Sequence, residues 1–94
     1  MSAASPEAAV RARVLELLAD VAPDVDTTRV RDDVEFRDQF DFDSMDLFNF
    51  AIALHAEYGL EIPERDYRQL LRVDRCIAYV IGHGGGAAAP RGAA

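Results

Sequence analysis

The chain has no lysine, a single cysteine and no long apolar run, and each shortage removes a class of protein. Cys76 has no partner for an internal disulfide, so a disulfide-stapled scaffold is excluded. The apolar runs fall far short of the roughly 20 residues that a membrane-spanning helix needs, and no membrane insertion is expected. Met1-Ser2-Ala3-Ala4-Ser5 carries no basic patch followed by an apolar stretch, so there is no sign of a secretory leader and a cytoplasmic location is expected. No repeat and no strand-like alternation of useful length occurs. A length of 94 residues leaves nothing over for a second domain and excludes most large catalytic folds.

Half of the residues are hydrophobic and 29% are charged, which fits a globular domain and not a disordered or fibrous chain. Surface scaling at this mass lets roughly 64% of the unfolded surface be buried, a small core. Net charge is −7, and its distribution is uneven. All ten bases are arginine, and none lies between Arg37 and Arg65, where Asp38, Asp41, Asp43, Asp46, Glu57, Glu61 and Glu64 hold the whole acidic excess. Such a field repels nucleic acid and anionic lipid and steers the domain toward partners with Arg or Lys patches, or else serves only as a solvated face.

Ser5-Pro6-Glu7 reads as a helix start, with a hydroxyl cap, proline at the first position and an acid suited to the helix dipole. Val10, Val14, Leu17, Leu18 and Val21 then follow at helical spacing. Pro23, Asp24, Asp26, Thr27 and Thr28 break that helix. They open a long connection to about Phe42, whose Val30, Val34, Phe36 and Phe40 predict a loop packed on the core with one short helical turn. Asp43 or Ser44 caps the next helix, which carries two apolar stripes, one running from Met45 through Phe48, Ala51, Ile52 and His55, beside Leu47, Phe50, Leu54 and Tyr58. So wide a sector predicts a central helix touching several others. Gly59 ends it with Leu60 as the accompanying apolar contact, and Ile62-Pro63 is extended. Glu64 to Leu71 gives one or two helical turns with Tyr67, Leu70 and Leu71 inward. A last helix starts near Val73 with Val73, Cys76, Ile77, Val80 and Ile81 on one stripe, and Cys76 reads as a small buried hydrophobe. The expected fold is all-α, a small bundle of three main helices plus one short helix, with a long loop between the first and second helices. A flexible N-terminus over 1–5, a domain over 6–82 and a flexible Gly/Ala-rich tail over 83–94 complete the division.

The stretch of most chemical interest is Asp41-Phe42-Asp43-Ser44-Met45-Asp46, a serine between aspartates at a helix start. Its plain reading is a helix cap, worth roughly 1 kcal/mol. A helix start is also where backbone donors can hold a phosphate attached to the serine. The long apolar loop before the serine, the wide helix after it, the Glu61-Ile62-Pro63 turn, and Val73 with Ile77-Ala78-Tyr79-Val80 occur in order around it. Together, from about Pro6 to Ile81, these features resemble an acyl carrier protein.

The resemblance implies a 4′-phosphopantetheine arm on Ser44, installed from coenzyme A by a separate phosphopantetheinyl transferase that Asp43 and a metal ion help engage. Acyl groups would ride on the arm's thiol as thioesters, and the protein would present them to separate enzymes without being an enzyme itself. By the same likeness, Asp41, Met45, Asp46, Asn49 and Glu57 form the partner-binding face, read by acyl-transferring enzymes with basic docking patches. Phe48, Ile52, Leu60, Ile62, Tyr67 and Ile77 would line an acyl pocket, although plain core packing accounts for them too. A monomer without a metal site of its own is expected.

The chain departs from the family pattern at Asp41, where a glycine is common, and at Asn49, where an acid is common. With Phe42, Phe48 and Phe50 near the arm's root, these changes suggest a specialised lipid or polyketide-type pathway. A peptidyl or aminoacyl carrier of nonribosomal synthesis is the runner-up, followed by an acidic helical interaction module with no prosthetic group. A serine hydrolase using Ser44 and His55 fails for want of a G-x-S-x-G turn and an oxyanion loop, and His55 reads as a core-edge or interface residue. A calcium loop over Asp24, Asp26, Thr28 and Glu35 places Arg29 where the sharp turn needs glycine.

Overall fold

A computed structural model describes residues 5–84. The expected tail beyond Gly84 and the first four residues lie outside the described residues. Helix α1 spans Pro6–Val21, α2 Ser44–Tyr58 and α3 Val73–Gly82, with a seven-residue 3₁₀ helix, Glu64–Leu70, between the last two. The fold is all-α, as the spacing predicts.

The Ser5 hydroxyl accepts a bond from Ala8 N at 3.1 Å, and Pro6 opens α1. The helix ends one residue before Ala22, whose φ −128°, ψ 78° lies outside the helical region, which a following proline disfavours. Val10, Val14, Leu17 and Leu18 are buried, mainly against α3 and also against α2.

The connection between α1 and α2 contains two 3₁₀ turns where the sequence predicts one, Thr27–Arg29 and Phe36–Asp38. The first is set by Asp26, whose carboxylate accepts from Thr28 N at 3.0 Å and Thr28 Oγ1 at 2.6 Å. Those bonds hold Asp26 below the usual carboxylate range. This acid belongs to the calcium-loop reading, and it is engaged in a local turn instead. Among the described residues, no group of three or more His, Cys, Asp or Glu side chains is arranged to hold a metal ion. Gln39 clamps the loop on itself. It accepts from Arg31 N at 2.7 Å and donates to the carbonyls of Arg31 and Val34 at 2.9 and 2.7 Å.

The loop is fastened to the helices at three points. Arg11 of α1 grips Asp32 with two bonds of 2.8 and 2.9 Å, Asp74 N donates to Asp32 O at 3.1 Å, and Phe36 N donates to Leu71 O at 2.8 Å. Phe36 is fully buried, and its ring centroid lies 5.6, 5.2 and 5.9 Å from those of Phe40, Phe42 and Phe50. Offset and edge-to-face aromatic contacts of this kind add to plain area burial. This cluster makes the loop part of the core and fixes the chain just before Ser44.

Helix α2 packs on α1 and on the 3₁₀ helix, burying Phe50, Ala51 and Leu54. Gly59 adopts the left-handed conformation at φ 69° and ends the helix, and Leu60 is buried behind it. One predicted stripe is corrected. Met45, Phe48 and Ile52 are 62%, 47% and 48% exposed, His55 is exposed, and Ala51 alone of that stripe is inward. The reason is the phase of the helix. A two-residue step turns about 200°, so Phe48 and Ile52, each two residues from Phe50, point nearly opposite to it. The buried sector is the narrower one that holds Phe50, Leu54, Leu47 and Tyr58.

Within the 3₁₀ helix Leu70 is buried and Tyr67 half-buried, and Leu71 just after it is buried. In α3 the inward residues are Val73, Cys76, Tyr79 and Val80, while Ile77 and Ile81 are half-buried. Tyr79 does not belong to the predicted stripe. Its ring is buried, and its hydroxyl donates to Asp66 Oδ2 at 2.8 Å, joining α3 to the 3₁₀ helix. Burial first, and the bond to Asp66 second, push its hydroxyl up to about 12. The Cys76 thiol is pushed up to about 12 by burial alone. Among the described residues, no helix is long and apolar enough to cross a membrane.

Candidate functional site at the start of helix α2

Two aspartates build the start of α2. Asp43 is the N-cap, and its carboxylate accepts from Asp46 N at 2.9 Å. Asp46 answers by accepting from Asp43 N at 3.1 Å. This reciprocal box satisfies two backbone donors, and losing such a cap costs about 1 kcal/mol. It also settles which of Asp43 and Ser44 caps the helix. With capping supplied by Asp43, Ser44 occupies the first helical position, exposed, with its hydroxyl free of that duty.

The surroundings are acidic and open. Asp41 and Asp43 are exposed, Asp46 is half-buried, and Phe42 between them is buried in the aromatic cluster. A hollow of about 400 Å³ beside the helix start is lined by Arg37, Phe40, Asp41, Phe42, Asp43 and Asp46. The first-turn N–H groups of Ser44 and Met45 have no acceptor within the helix. Asp46 N and Leu47 N are already bound, to Asp43 Oδ1 and to Asp43 O at 3.0 Å. An exposed hydroxyl flanked by backbone donors at the positive end of a helix suits a serine-linked phosphate.

Residues 12–79 match the family described as "Phosphopantetheine attachment site". The chain is 28% identical over 76 residues to an acyl carrier protein of Rubrobacter xylanophilus, covering 78% of this chain and 94% of that one. It is 30% identical over 73 residues to that of Lactobacillus acidophilus, covering 78% and 90%. With that of Solidesulfovibrio magneticus it shares 32% over 71 residues, covering 76% and 90%. The chain belongs to the acyl carrier protein family. No solved structure matches it significantly.

A member of the acyl carrier protein family is a carrier and not an enzyme, and its prosthetic group is a covalently attached 4′-phosphopantetheine. The residues at the start of α2 fit that group, since an accessible serine hydroxyl and free backbone donors meet there.

The other sequence-predicted residues fall in different surroundings. Met45 and Asn49 are exposed on α2. Glu57, from the same predicted face, is engaged with α1. Arg13 Nη2 donates to it at 2.8 Å, and this bond holds the Glu57 carboxyl below its usual range. Of the six residues predicted to line an acyl pocket, Ile52, Ile62 and Tyr67 share a hollow of about 220 Å³ with Ala51, His55 and Glu61. Phe48 lies outside it with its ring 6.3 Å from that of Tyr67. Leu60 is buried, and Ile77 is half-buried on α3. His55 Nδ1–H donates to Leu60 O at 2.6 Å across the Gly59 turn, a structural contact. Sequence reasoning did not single out Arg37 as a neighbour of the helix start. Its position as the last base before the acidic segment was the available signal.

Proposed function

We propose that Ser44 carries the phosphopantetheine arm and that the protein holds acyl intermediates for separate enzymes. The observation that carries this reading is the exposed Ser44 at the first position of α2, inside the region that matches the attachment-site family. When bound, the arm supplies a terminal thiol on which an acyl group rides as a thioester. The chain's own residues do the rest. Asp43 and Asp46 hold the helix start in place, so that a phosphopantetheinyl transferase meets the hydroxyl at a fixed, open position. The exposed carboxylates of Asp41 and Asp43 give that surface a negative field, complementary to partner enzymes with Arg or Lys patches. Met45 and Asn49 extend the partner-facing surface along α2. Asp46 and Glu57 add charge to it while already bonded within the domain.

The acyl chain would lie against the hollow of Ile52, Ile62 and Tyr67, beside the Phe48 ring. Asp41, Asn49 and the phenylalanines around Ser44 support a specialised lipid or polyketide-type pathway. The test is an intact-mass measurement of the wild type and Ser44→Ala after incubation with coenzyme A and a broad-specificity transferase. A gain of one phosphopantetheine group in the wild type alone supports the reading, and a gain in both refutes it. Efficient elongation of the loaded protein's thioesters by a general fatty-acid synthase would count against the specialised pathway.

A further inference from the structure

Arg37 is the one base among the residues that line the hollow beside the start of α2, where its neighbours Asp41, Asp43 and Asp46 are all acids. It is also the last base in the chain before Arg65. It stands on the Phe36–Asp38 turn, which the buried Phe36 ring and the bond from Phe36 N to Leu71 O fix in place. Among the described residues its guanidinium has one side-chain partner, Glu35. The side chain is 58% exposed, and its ion pair with Glu35 is long, at 3.5 Å. An exposed pair of that length contributes little. Asp43 and Asp46 have their carboxylates turned to backbone N–H groups in the capping box.

Attaching the arm replaces a neutral hydroxyl by a phosphodiester monoanion at the edge of this acidic cluster. The added charge is repelled by Asp41, Asp43 and Asp46. Arginine is the side chain best shaped to counter it, because its planar fork can bond two phosphate oxygens at once. We propose that Arg37 is the counter-ion of the arm's phosphodiester, drawing the root of the arm toward the loop hollow. This rests on Ser44 as the attachment point and goes further by naming the residue that receives the phosphate.

The test compares apo and loaded protein, with loading verified by intact mass, in the wild type, Arg37→Gln, Arg37→Lys and Arg68→Gln. Arg68 is an exposed arginine on the 3₁₀ helix that does not line this hollow, so its variant makes the same change in net charge without the proposed contact. Urea unfolding should show loading favouring the folded wild type over folded Arg37→Gln by about two- to five-fold in the unfolding constant, the size of an exposed ion pair. The ³¹P resonance of the phosphodiester should move in Arg37→Gln, move less in Arg37→Lys and stay in place in Arg68→Gln. Equal apo-to-loaded differences and an unmoved ³¹P resonance in loaded Arg37→Gln would overturn the proposal. Equal effects of Arg37→Gln and Arg68→Gln would overturn it as well, by reducing it to a general field. A wild-type chain that takes up no arm refutes the Ser44 assignment, and the Arg37 proposal with it. Normal loading with no coupling refutes the Arg37 proposal alone.

Discussion

Replacing Phe36 by alanine tests whether the long loop before Ser44 belongs to the core. The ring is 0% exposed and meets three other phenylalanines at centroid distances of 5.2 to 5.9 Å. Phe→Ala changes in cores cost about 3–5 kcal/mol, and three lost aromatic contacts place this one in the upper half of that range. A described domain of 80 residues has about 4–12 kcal/mol in all at 0.05–0.15 kcal/mol per residue. Phe36→Ala therefore leaves little folded margin, whereas Phe36→Leu keeps most of the volume and should cost about 1–2 kcal/mol. Phe48→Ala is the control, since that ring is half exposed and should cost no more than about 0.5 kcal/mol. Urea unfolding followed by far-UV circular dichroism gives all three values. With a slope of about 1 kcal/mol per molar, Phe36→Leu should lower the midpoint by about 1–2 M. A Phe36→Ala cost under about 1 kcal/mol, or one no larger than that of Phe48→Ala, would refute the integration of the loop into the core.

Arg13 holds the Glu57 carboxyl below its ordinary 4.5, so the pair stabilises the fold fully above that pH and loses its contribution as pH falls through the lower folded-state value. Asp26 and Asp74 are lowered in the same direction, by Thr28 and Arg72 respectively, so wild-type stability should fall on acidification below about 4.5. Glu57→Gln should show a shallower fall in urea midpoints between pH 5 and 3, and an unchanged slope would contradict the pairing. Cys76 is fully buried with its thiol pushed up to about 12, so iodoacetamide should leave it untouched in native protein at pH 8 and alkylate it in urea. Fast native alkylation would place it outside the core. Met45→Ser and Phe48→Ser should leave the unfolding free energy within about 0.5 kcal/mol of wild type and weaken binding to acyl-handling partners. Loss of stability without loss of binding would reverse that reading.

Local chemistry made the helix boundaries legible. Ser5 and Pro6, the aspartates around Ser44, Gly59 with its positive φ, and Pro63 each act on backbone geometry within a few residues, so their effects follow from the sequence at those positions. Which apolar residues turn inward was less legible. Periodicity groups Met45, Phe48 and Ile52 as one stripe, but hydropathy does not distinguish an apolar stripe facing the core from one kept on the surface. Tyr79 was missed because its burial depends on Asp66, 13 residues earlier, accepting its hydroxyl. The engagement of Glu57 with Arg13 joins residues 44 apart. Contacts at such separations are set by the packing of elements and leave no local signal. The place of Ser44 at a helix start was legible because the capping acids lie beside it in the chain.

The central claim is tested most directly by localising the modification after loading with coenzyme A. The chain offers three serines, Ser2, Ser5 and Ser44, and two threonines, Thr27 and Thr28. Tandem mass spectrometry of the loaded protein should find one phosphopantetheine group, on the fragment containing Ser44. A group on Ser2, Ser5 or either threonine, or a folded protein that takes up none, would contradict the account.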